Sequence, residues 1–255
     1  MNQKHDYIAV FDSGVGGISV LRQLKKMMPA EKFLYFGDSA NAPYGIRPVE
    51  EVQKLSLAVA AKLVPQGIKA LVIACNTATA AALEVLREAY PDLIVEGIQP
   101  AVRLASEKFP GGTVGVMATP LTMKSPKILA LLAQYGDRCN LISLPAPGLA
   151  DLVEAGKGNS PESEALLRPM LEPLAGKLDA IVLGCTHYPF AAETVTDILG
   201  KNTVCLDGGE ETSRRTMERL EKAGLLVTEG EPEIVWQNSL DDPRMLELSR
   251  QLLEG

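Results

Sequence analysis

The sequence has few of the residues that build metal sites and disulfide frameworks. Its 255 residues include two histidines, His5 and His187, and no CxxC spacing. A structural zinc site needs four clustered Cys or His ligands, so this composition argues against one. In a reducing compartment disulfides are not expected, and each cysteine is predicted to be a free thiol. The cysteines are Cys75, Cys139, Cys185 and Cys205.

Long apolar runs and basic tracts are also missing. No stretch approaches the roughly 20 apolar residues of a membrane span. The first apolar run, at residues 7–11, is too short for a signal-peptide core. Lys and Arg number 25 against 32 Asp and Glu, for a net charge of −7. We therefore predict a cytoplasmic protein whose main partner is neither nucleic acid nor a membrane surface.

Short apolar runs alternate with helical patterns along the chain. Hydrophobic residues make up 46% of the sequence and charged residues 22%, which is typical of a globular protein. Runs this apolar, separated by helices, indicate parallel strands covered on both faces. The predicted strands are residues 7–11, 32–36, 70–74, 113–117, 139–144 and 180–184. Helices are predicted at residues 18–28, in a segment that begins at Pro48, and in a segment that follows residue 74 and ends at about Ala89. Further helices are predicted around 123–134, at 160–174 and after residue 184.

The strand pattern occurs twice. The ends of the first three predicted strands and of the next three are separated by 106 to 110 residues. This spacing indicates an internal duplication into two similar α/β halves. The tail after Asp207 holds a helix, a short strand at 233–237 and a final helix, and is predicted to pack on the first half. We predict one domain from 1–97 plus 208–255 and another from 98–207, related by pseudo-symmetry, with the active site in the cleft between them.

Polar residues gather directly after the predicted strands. In open parallel sheets, ligands bind beyond the carboxyl ends of the strands. The residues after the strands of the first half are Asp12, Ser13, Asp38, Ser39, Cys75, Asn76 and Thr77. Those of the second half are Thr119, Thr122, Glu154, Cys185, Thr186 and His187. If the two halves face each other, the two cysteines lie opposite one another.

Cys75 and Cys185 each follow the third strand of a half and precede a helical pattern. A helix N-terminus carries partial positive charge and can lower the pKa of a thiol from about 8.5 toward neutrality. Two such thiols around one carbon atom could remove a proton from one side and return one on the other. Asp12 and His187 are placed to handle the protons.

Each of these residues also has an ordinary structural explanation. A cysteine after a strand is commonly a packing residue. Asp12 could cap the following helix, His187 could be a structural histidine, and Tyr44 could be a turn residue. The "GVGG" loop lacks the GxGxxG spacing of a dinucleotide site. The matching positions of the two cysteines favour the chemical interpretation.

Four motifs carry a family resemblance. "FDSGVGG" at 11–17, "GDSANAPYG" at 37–45, "ACNTA" at 74–78 and "GCTHYP" at 184–189 resemble glutamate racemases, within the cofactor-independent aspartate/glutamate racemase superfamily. The histidine of "GCTHYP" favours the glutamate branch. The resemblance implies two α/β domains, a homodimer, and interconversion of L- and D-glutamate without pyridoxal phosphate or metal. It also implies that D-glutamate is supplied for peptidoglycan.

The resemblance also implies roles for individual residues. Cys75 would take the α-proton from D-glutamate with help from Asp12. Cys185 would take it from L-glutamate with help from His187 and Glu154. The residues that would hold substrate are Asp12, Ser13, Tyr44, Gly45, Asn76, Thr77, Thr119, Thr122, Thr186 and His187.

Three other functions stay open at this point. A racemase of the same superfamily could act on aspartate or a related acid. A Cys–His hydrolase would use Cys185 and His187 and would give Cys75 no role. A binding protein for small acids would bind without turnover.

Overall fold

The apolar runs of the sequence form strands of parallel sheets. A computed structural model describes residues 3–99 and 101–254 of the chain. The strands are β1 (Tyr7–Asp12), β2 (Lys32–Gly37), β3 (Ile68–Ile73), β4 (Ile94–Gly97), β5 (Thr113–Ala118), β6 (Asn140–Pro145), β7 (Ala180–Leu183), β8 (Val204–Leu206) and β9 (Glu233–Asn238). The helices are α1 (Ile18–Met27), α2 (Val49–Leu63), α3 (Asn76–Ala89), α4 (Ala101–Lys108), α5 (Pro120–Lys124), α6 (Pro126–Tyr135), α7 (Leu149–Glu154), α8 (Pro161–Leu171), α9 (Ala192–Leu199), α10 (Gly209–Lys222) and α11 (Pro243–Glu254).

The strands form two sheets, one in each of two units. The first unit runs up to Gln99 and resumes at Gly209, and the second ends at Gly208. The first sheet has the order β4-β3-β1-β2-β9 and the second the order β6-β5-β7-β8, with parallel pairing throughout. The prediction of two parallel-sheet α/β domains is confirmed. Reversed, the second order is β8-β7-β5-β6, which matches β4-β3-β1-β2 strand for strand, as a duplication requires.

Helices cover both faces of the sheets. In the first unit, a core cluster packs Phe11 and Ile73 of the sheet against α2 and α3. Helix α1 packs against both α10 and α11, and α10 also contacts β3 and β4. In the second unit, Val182 belongs to a core with α4, α5 and α6, and Leu183 to a core with α7, α8 and α9. Consecutive strand residues point to opposite faces, so β7 is buried on both sides.

The tail completes the first unit. β9 pairs with β2 from Lys32 to Gly37, and α10 packs against α1. Trp236 of β9 lies against Tyr35 of β2, with ring centroids 5.7 Å apart. In the described part of the chain, no helix is long and apolar enough to cross a membrane.

Several local predictions need correction. The patterns do not predict β4, β8, α4 or α7, which have between three and eight residues and are too short for a clear periodicity. The helix expected around 123–134 corresponds to α6, but its start is wrong, because residues up to Lys124 belong to the separate helix α5. Pro126 disfavours a helical conformation at Ser125, whose ψ is 142°. Pro48 is the N-cap of α2 rather than its first helical residue.

A buried ion pair joins distant segments of the first unit. Lys69 Nζ lies 2.6 Å from Glu31 Oε2, and both side chains are at most 1% exposed. Nζ also donates to the carbonyl oxygens of Lys4 and Leu225, at 2.6 and 2.9 Å. Glu31 Oε1 accepts the N–H of Val227 at 2.8 Å. Burial lowers the pKa of Lys69, and the hydrogen bond to Glu31 opposes that shift. The pair thus holds the chain after α10 against the first sheet.

Candidate active site

Three loops leave the carboxyl edge of the first sheet side by side. β3, β1 and β2 are neighbours, and they end at Ile73, Asp12 and Gly37. The loop residues Asp38 and Ala74 each donate a backbone N–H to the end of β1, at 2.9 and 2.8 Å. The polar residues of the three loops are therefore held at one edge of the sheet.

Cys75 lies between β3 and α3 and is the N-cap of that helix. Its Sγ accepts the N–H of Ala78 at 3.5 Å and lies 3.6 Å from Ser13 Oγ. The residue is 6% exposed. The N–H donor and the positive end of the helix dipole both stabilise negative charge on this sulfur.

Asp12 is fully buried at the end of β1. Its Oδ1 accepts the N–H of Gly14 at 3.0 Å. The N-cap of α1 is Gly17, so Asp12 is not the cap of that helix. A Cβ on Gly17 would lie 2.6 Å from Asp12 Cβ and 3.0 Å from Ala74 Cβ. The glycine at position 17 is thus explained by the close packing of α1 against the Asp12 side chain.

The loop between β2 and α2 carries Tyr44 and Gly45 in a single turn of 3₁₀ helix. Tyr44 is 1% exposed, and its hydroxyl donates to Asp38 Oδ2 at 2.6 Å. Burial and then the Asp38 carboxylate raise the pKa of Tyr44, and negative charge on Cys75 adds to the rise. The phenol therefore stays protonated and is a permanent hydrogen-bond donor.

The second sheet has an equivalent carboxyl edge. β6, β5 and β7 are neighbours there. Thr119 follows β5 and is the N-cap of α5. Its Oγ1 accepts the N–H of Thr122 at 3.3 Å and donates to Thr122 Oγ1 at 2.9 Å. Both threonines are half-buried, so this pair offers hydroxyl groups at the sheet edge.

Cys185 follows β7 and belongs to a chain of proton-carrying groups. Its Sγ lies 3.6 Å from His187 Nδ1, and His187 Nε2 lies 2.6 Å from Glu154 Oε1. An ionised carboxylate only accepts hydrogen bonds, so Nε2 carries a proton and Nδ1 is the acceptor in neutral imidazole. Unlike Cys75, Cys185 does not cap an α-helix, because α9 begins at Ala192. The imidazole of His187, rather than the N-terminus of an α-helix, lies beside its sulfur.

Two contacts fix the segment around α7 against the chain after Cys185. The Tyr188 hydroxyl donates to the Ala146 carbonyl oxygen at 2.9 Å. Asn159 Oδ1 accepts the N–H of Thr194 in α9 at 3.1 Å. Burial and then negative charge on Cys185 raise the pKa of Tyr188, so its hydroxyl stays a donor. These bonds hold Glu154, at the end of α7, near the imidazole.

The predicted site residues form two groups, one in each unit. The first unit brings these residues to the edge of its sheet: Asp12, Ser13, Tyr44, Gly45, Cys75, Asn76 and Thr77. The second unit brings these residues to the corresponding edge: Thr119, Thr122, Glu154, Cys185, Thr186 and His187. His5 is exposed and belongs to neither group.

Asp38 lies at the same sheet edge as the first group, although the sequence prediction gave it no role in the site. It is 3% exposed and accepts hydrogen bonds from Tyr44 and from Asn41 Nδ2, the latter at 3.0 and 3.1 Å. The strand pattern placed Asp38 at the sheet edge, as it placed Asp12, but no motif gave Asp38 a role.

Cys139 and Cys205 are packing residues with raised pKa values. Burial raises the pKa of Cys139. Burial and then the charge of Asp207 raise the pKa of Cys205 to about 11. Both thiols pack in the cores of the second unit. They are therefore protonated at neutral pH, as expected for cysteines without a chemical role.

The pH dependence of alkylation tests this assignment for Cys205. Because the thiolate is the nucleophile, the iodoacetamide labelling rate of Cys205 is expected to rise about tenfold per pH unit from about pH 7 to about pH 10. Mass spectrometry of the Cys205 peptide gives the rate, and circular dichroism checks that the chain stays folded. A plateau near the ordinary thiol pKa of about 8.5 would contradict the assignment.

Comparison with known proteins decides the family. The model of the Asp/Glu/Hydantoin racemase family matches residues 9–216. The chain belongs to this family. The resemblance that the four sequence motifs indicated is thereby confirmed. In the described residues of this racemase-family chain, there is no group of three or more His, Cys, Asp or Glu side chains arranged to hold a metal ion.

Relatives in the racemase family match the chain over nearly its full length. A glutamate racemase from Clostridium botulinum is 41% identical over 257 residues, which covers 100% of both chains. The structure of a glutamate racemase isoform from Bacillus anthracis has 32% identity and a TM-score of 0.87, covering 99% of this chain and 96% of that one. A glutamate racemase from Francisella tularensis, in complex with D-glutamate, has 29% identity and a TM-score of 0.84, covering 99% and 95%.

Proposed function

We propose that the chain is a glutamate racemase that interconverts L- and D-glutamate and supplies D-glutamate for peptidoglycan. The observation that carries the proposal is the pair of thiols at equivalent strand ends, each beside its own proton-handling groups. The family match and the relatives named glutamate racemase support glutamate as the substrate. The reaction needs no pyridoxal phosphate or metal in this proposal, because the two thiols move the protons.

In the proposed reaction, each thiol serves one face of the substrate α-carbon. From L-glutamate, the Cys185 thiolate takes the α-proton, so a C–H bond breaks and an S–H bond forms. The Cys75 thiol then gives its proton to the opposite face, which leaves D-glutamate and a Cys75 thiolate. The reverse direction exchanges the two roles. Each turnover therefore uses one thiolate and one thiol.

The two thiols have different helpers. His187 Nδ1 can accept the Cys185 proton, and Glu154 at Nε2 stabilises the imidazolium that forms. Cys75 has the first turn of α3 and the Ser13 hydroxyl beside it. We assign Asp12 as its helper because this buried carboxylate lies at the end of the neighbouring strand. The proton handling is thus not the same on the two faces.

The remaining polar groups suit a small zwitterion. We propose that hydroxyl and amide donors hold the substrate carboxylates, since N–H and O–H groups at helix starts bind anions. The Tyr44 hydroxyl already donates its one proton to Asp38, so Tyr44 is proposed to contribute its backbone N–H. The other proposed substrate-binding residues are Asp12, Ser13, Gly45, Asn76, Thr77, Thr119, Thr122, Thr186 and His187.

A substrate panel tests the function. The purified protein is incubated with single enantiomers of glutamate, aspartate and alanine, and the products are separated by chiral chromatography. We expect D-glutamate from L-glutamate, and at least about 10²-fold slower turnover of aspartate, whose shorter chain misplaces a carboxylate. Faster turnover of aspartate would move the assignment to another racemase of the family. No turnover of any amino acid would contradict a racemase.

The proton-handling asymmetry gives a kinetic prediction. Because the enantiomers have equal free energy, kcat/KM must stay equal in the two directions for every variant. We expect His187→Asn to lower kcat about 10²-fold or more, and to lower it further for L-glutamate than for D-glutamate. Asp12→Asn should lower kcat further for D-glutamate than for L-glutamate. Equal losses of kcat in both directions for both variants would contradict the assigned helpers.

A Cys–His hydrolase is the second candidate, favoured by the Cys185, His187 and Glu154 contacts. Such an enzyme would form a covalent intermediate on Cys185 and would not need Cys75. Retention of a hydrolytic activity by Cys75→Ser would support it.

A homodimer and a cytoplasmic location stay predictions, and light scattering on the purified protein tests the first of them.

A further inference from the structure

The last strand of the chain ends beside the loop that carries Tyr44. β9 lies next to β2, with Asn238 opposite Gly37 in the register. The N–H of Ser239 donates to the Gly37 carbonyl oxygen at 2.9 Å. The chain therefore continues alongside the first residues of the loop after β2.

Two side chains at this strand end hold the loop. Asn238 Nδ2 donates to Ser39 Oγ at 2.9 Å, and Ser239 Oγ accepts the N–H of Ala40 at 2.9 Å. Asn238 Oδ1 accepts the N–H of Leu240 at 2.8 Å, which fixes the orientation of the amide. The start of the loop is thus bonded to residues about two hundred positions later in the sequence.

The held segment leads directly to Tyr44. Ser39–Asn41 is one turn of 3₁₀ helix. At its end, Asn41 Nδ2 donates to both oxygens of the Asp38 carboxylate, at 3.0 and 3.1 Å. The same carboxylate accepts the Tyr44 hydroxyl. A shift of the turn would therefore change the orientation of the carboxylate that fixes the phenol.

We propose that Asn238 and Ser239 are positioning residues for Tyr44. They touch the loop rather than the reacting atoms, and they act through Ser39 and Ala40. The consequence for turnover rests on the proposed function, in which Tyr44 binds the substrate. The positioning of the Tyr44 loop by these hydrogen bonds does not depend on the proposed function.

Kinetics of five variants test the proposal. In Asn238→Ala and Ser239→Ala, the KM for glutamate is expected to rise about tenfold, equivalent to about 1.4 kcal/mol, with kcat changed less than about threefold. Ser239→Thr keeps the hydroxyl group and should stay near the wild-type KM. In a Tyr44→Phe background, Asn238→Ala should add little, because both changes affect the same contact. Independent, multiplicative effects would overturn the proposal.

Alkylation of Cys75 gives a readout that needs no turnover. Tyr44 and Cys75 belong to the same buried cluster, so a loosened loop should expose the thiol. Asn238→Ala is expected to speed iodoacetamide labelling of Cys75 several-fold and to leave Cys185, in the other unit, unchanged. If the wild type does not racemise glutamate and this labelling still rises, the positioning stands and the proposed function fails. If Cys75 is labelled at the wild-type rate in both Asn238→Ala and Ser239→Ala, the proposed positioning is overturned.

Discussion

Replacing either Cys75 or Cys185 with serine is expected to lower glutamate racemisation by about 10³-fold or more in both directions. In the proposed mechanism, each turnover needs a thiolate on one face and a thiol on the other. A serine hydroxyl ionises far above neutral pH, so it is a poor base and a poor acid in this role. Chiral chromatography of timed samples measures the loss. Cys205→Ser is the matched control and should keep the wild-type rate, because the pKa of that half-buried thiol is raised to about 11 and the proposed mechanism gives it no role.

The residual reactions of the two variants should differ. With Cys75 replaced, Cys185 can still remove the proton of L-glutamate and return a solvent deuteron to the same face. For reactions run in D₂O, slow deuterium incorporation is therefore expected in L-glutamate for Cys75→Ser, and in D-glutamate for Cys185→Ser. Racemisation at the wild-type rate by Cys75→Ser would contradict the two-thiol mechanism and favour chemistry at Cys185 alone.

Replacing Lys69 with methionine should destabilise the first unit by about 3–5 kcal/mol. The change leaves Glu31 buried without its cation, and it removes the hydrogen bonds to the carbonyl groups of Lys4 and Leu225. Urea unfolding followed by tryptophan fluorescence measures the loss. The single tryptophan, Trp236, lies in β9 of the first unit, so the signal reports on that unit.

An exposed ion pair in the same unit provides the control. Lys32 lies 3.4 Å from Glu233, but their side chains are 41% and 47% exposed. Lys32→Met is expected to cost less than about 1 kcal/mol, because solvent screens such a pair. Adding Glu31→Gln to Lys69→Met removes the buried charge and should recover part of the loss. A cost below about 1 kcal/mol for Lys69→Met would show that the buried pair does not stabilise the tail.

Much of the fold follows from hydrophobic patterning. The strands β1, β2, β3, β5 and β7 are nearly all buried, and such apolar runs are recognisable in the sequence. β8 has three residues, of which Leu206 alone is buried, so its pattern is not distinctive. The duplicated strand order accounts for the presence of β8, because β8 takes the place in the second sheet that β4 takes in the first.

The site was predictable in its residue types and less so in its contacts. The position of Cys75 after an apolar strand predicts a thiol at the start of a helix, and the structure has that arrangement. The 2.6 Å contact between His187 and Glu154 joins residues on separate segments, and no local pattern gives that distance. The contact of Asn238 with Ser39 depends on β9 pairing with β2, which the sequence does not reveal.

Racemisation in D₂O tests the two-thiol proposal most directly. L-glutamate is incubated with the purified protein in D₂O, and the reaction is stopped at low conversion. The two enantiomers are then separated, and the deuterium content of each is measured by mass spectrometry. Because one thiol takes the proton and the other returns a different one, the D-glutamate formed should carry one deuterium at Cα. The remaining L-glutamate should carry much less. D-glutamate that keeps its original α-proton would contradict the account, since one group would then have moved the same proton between faces.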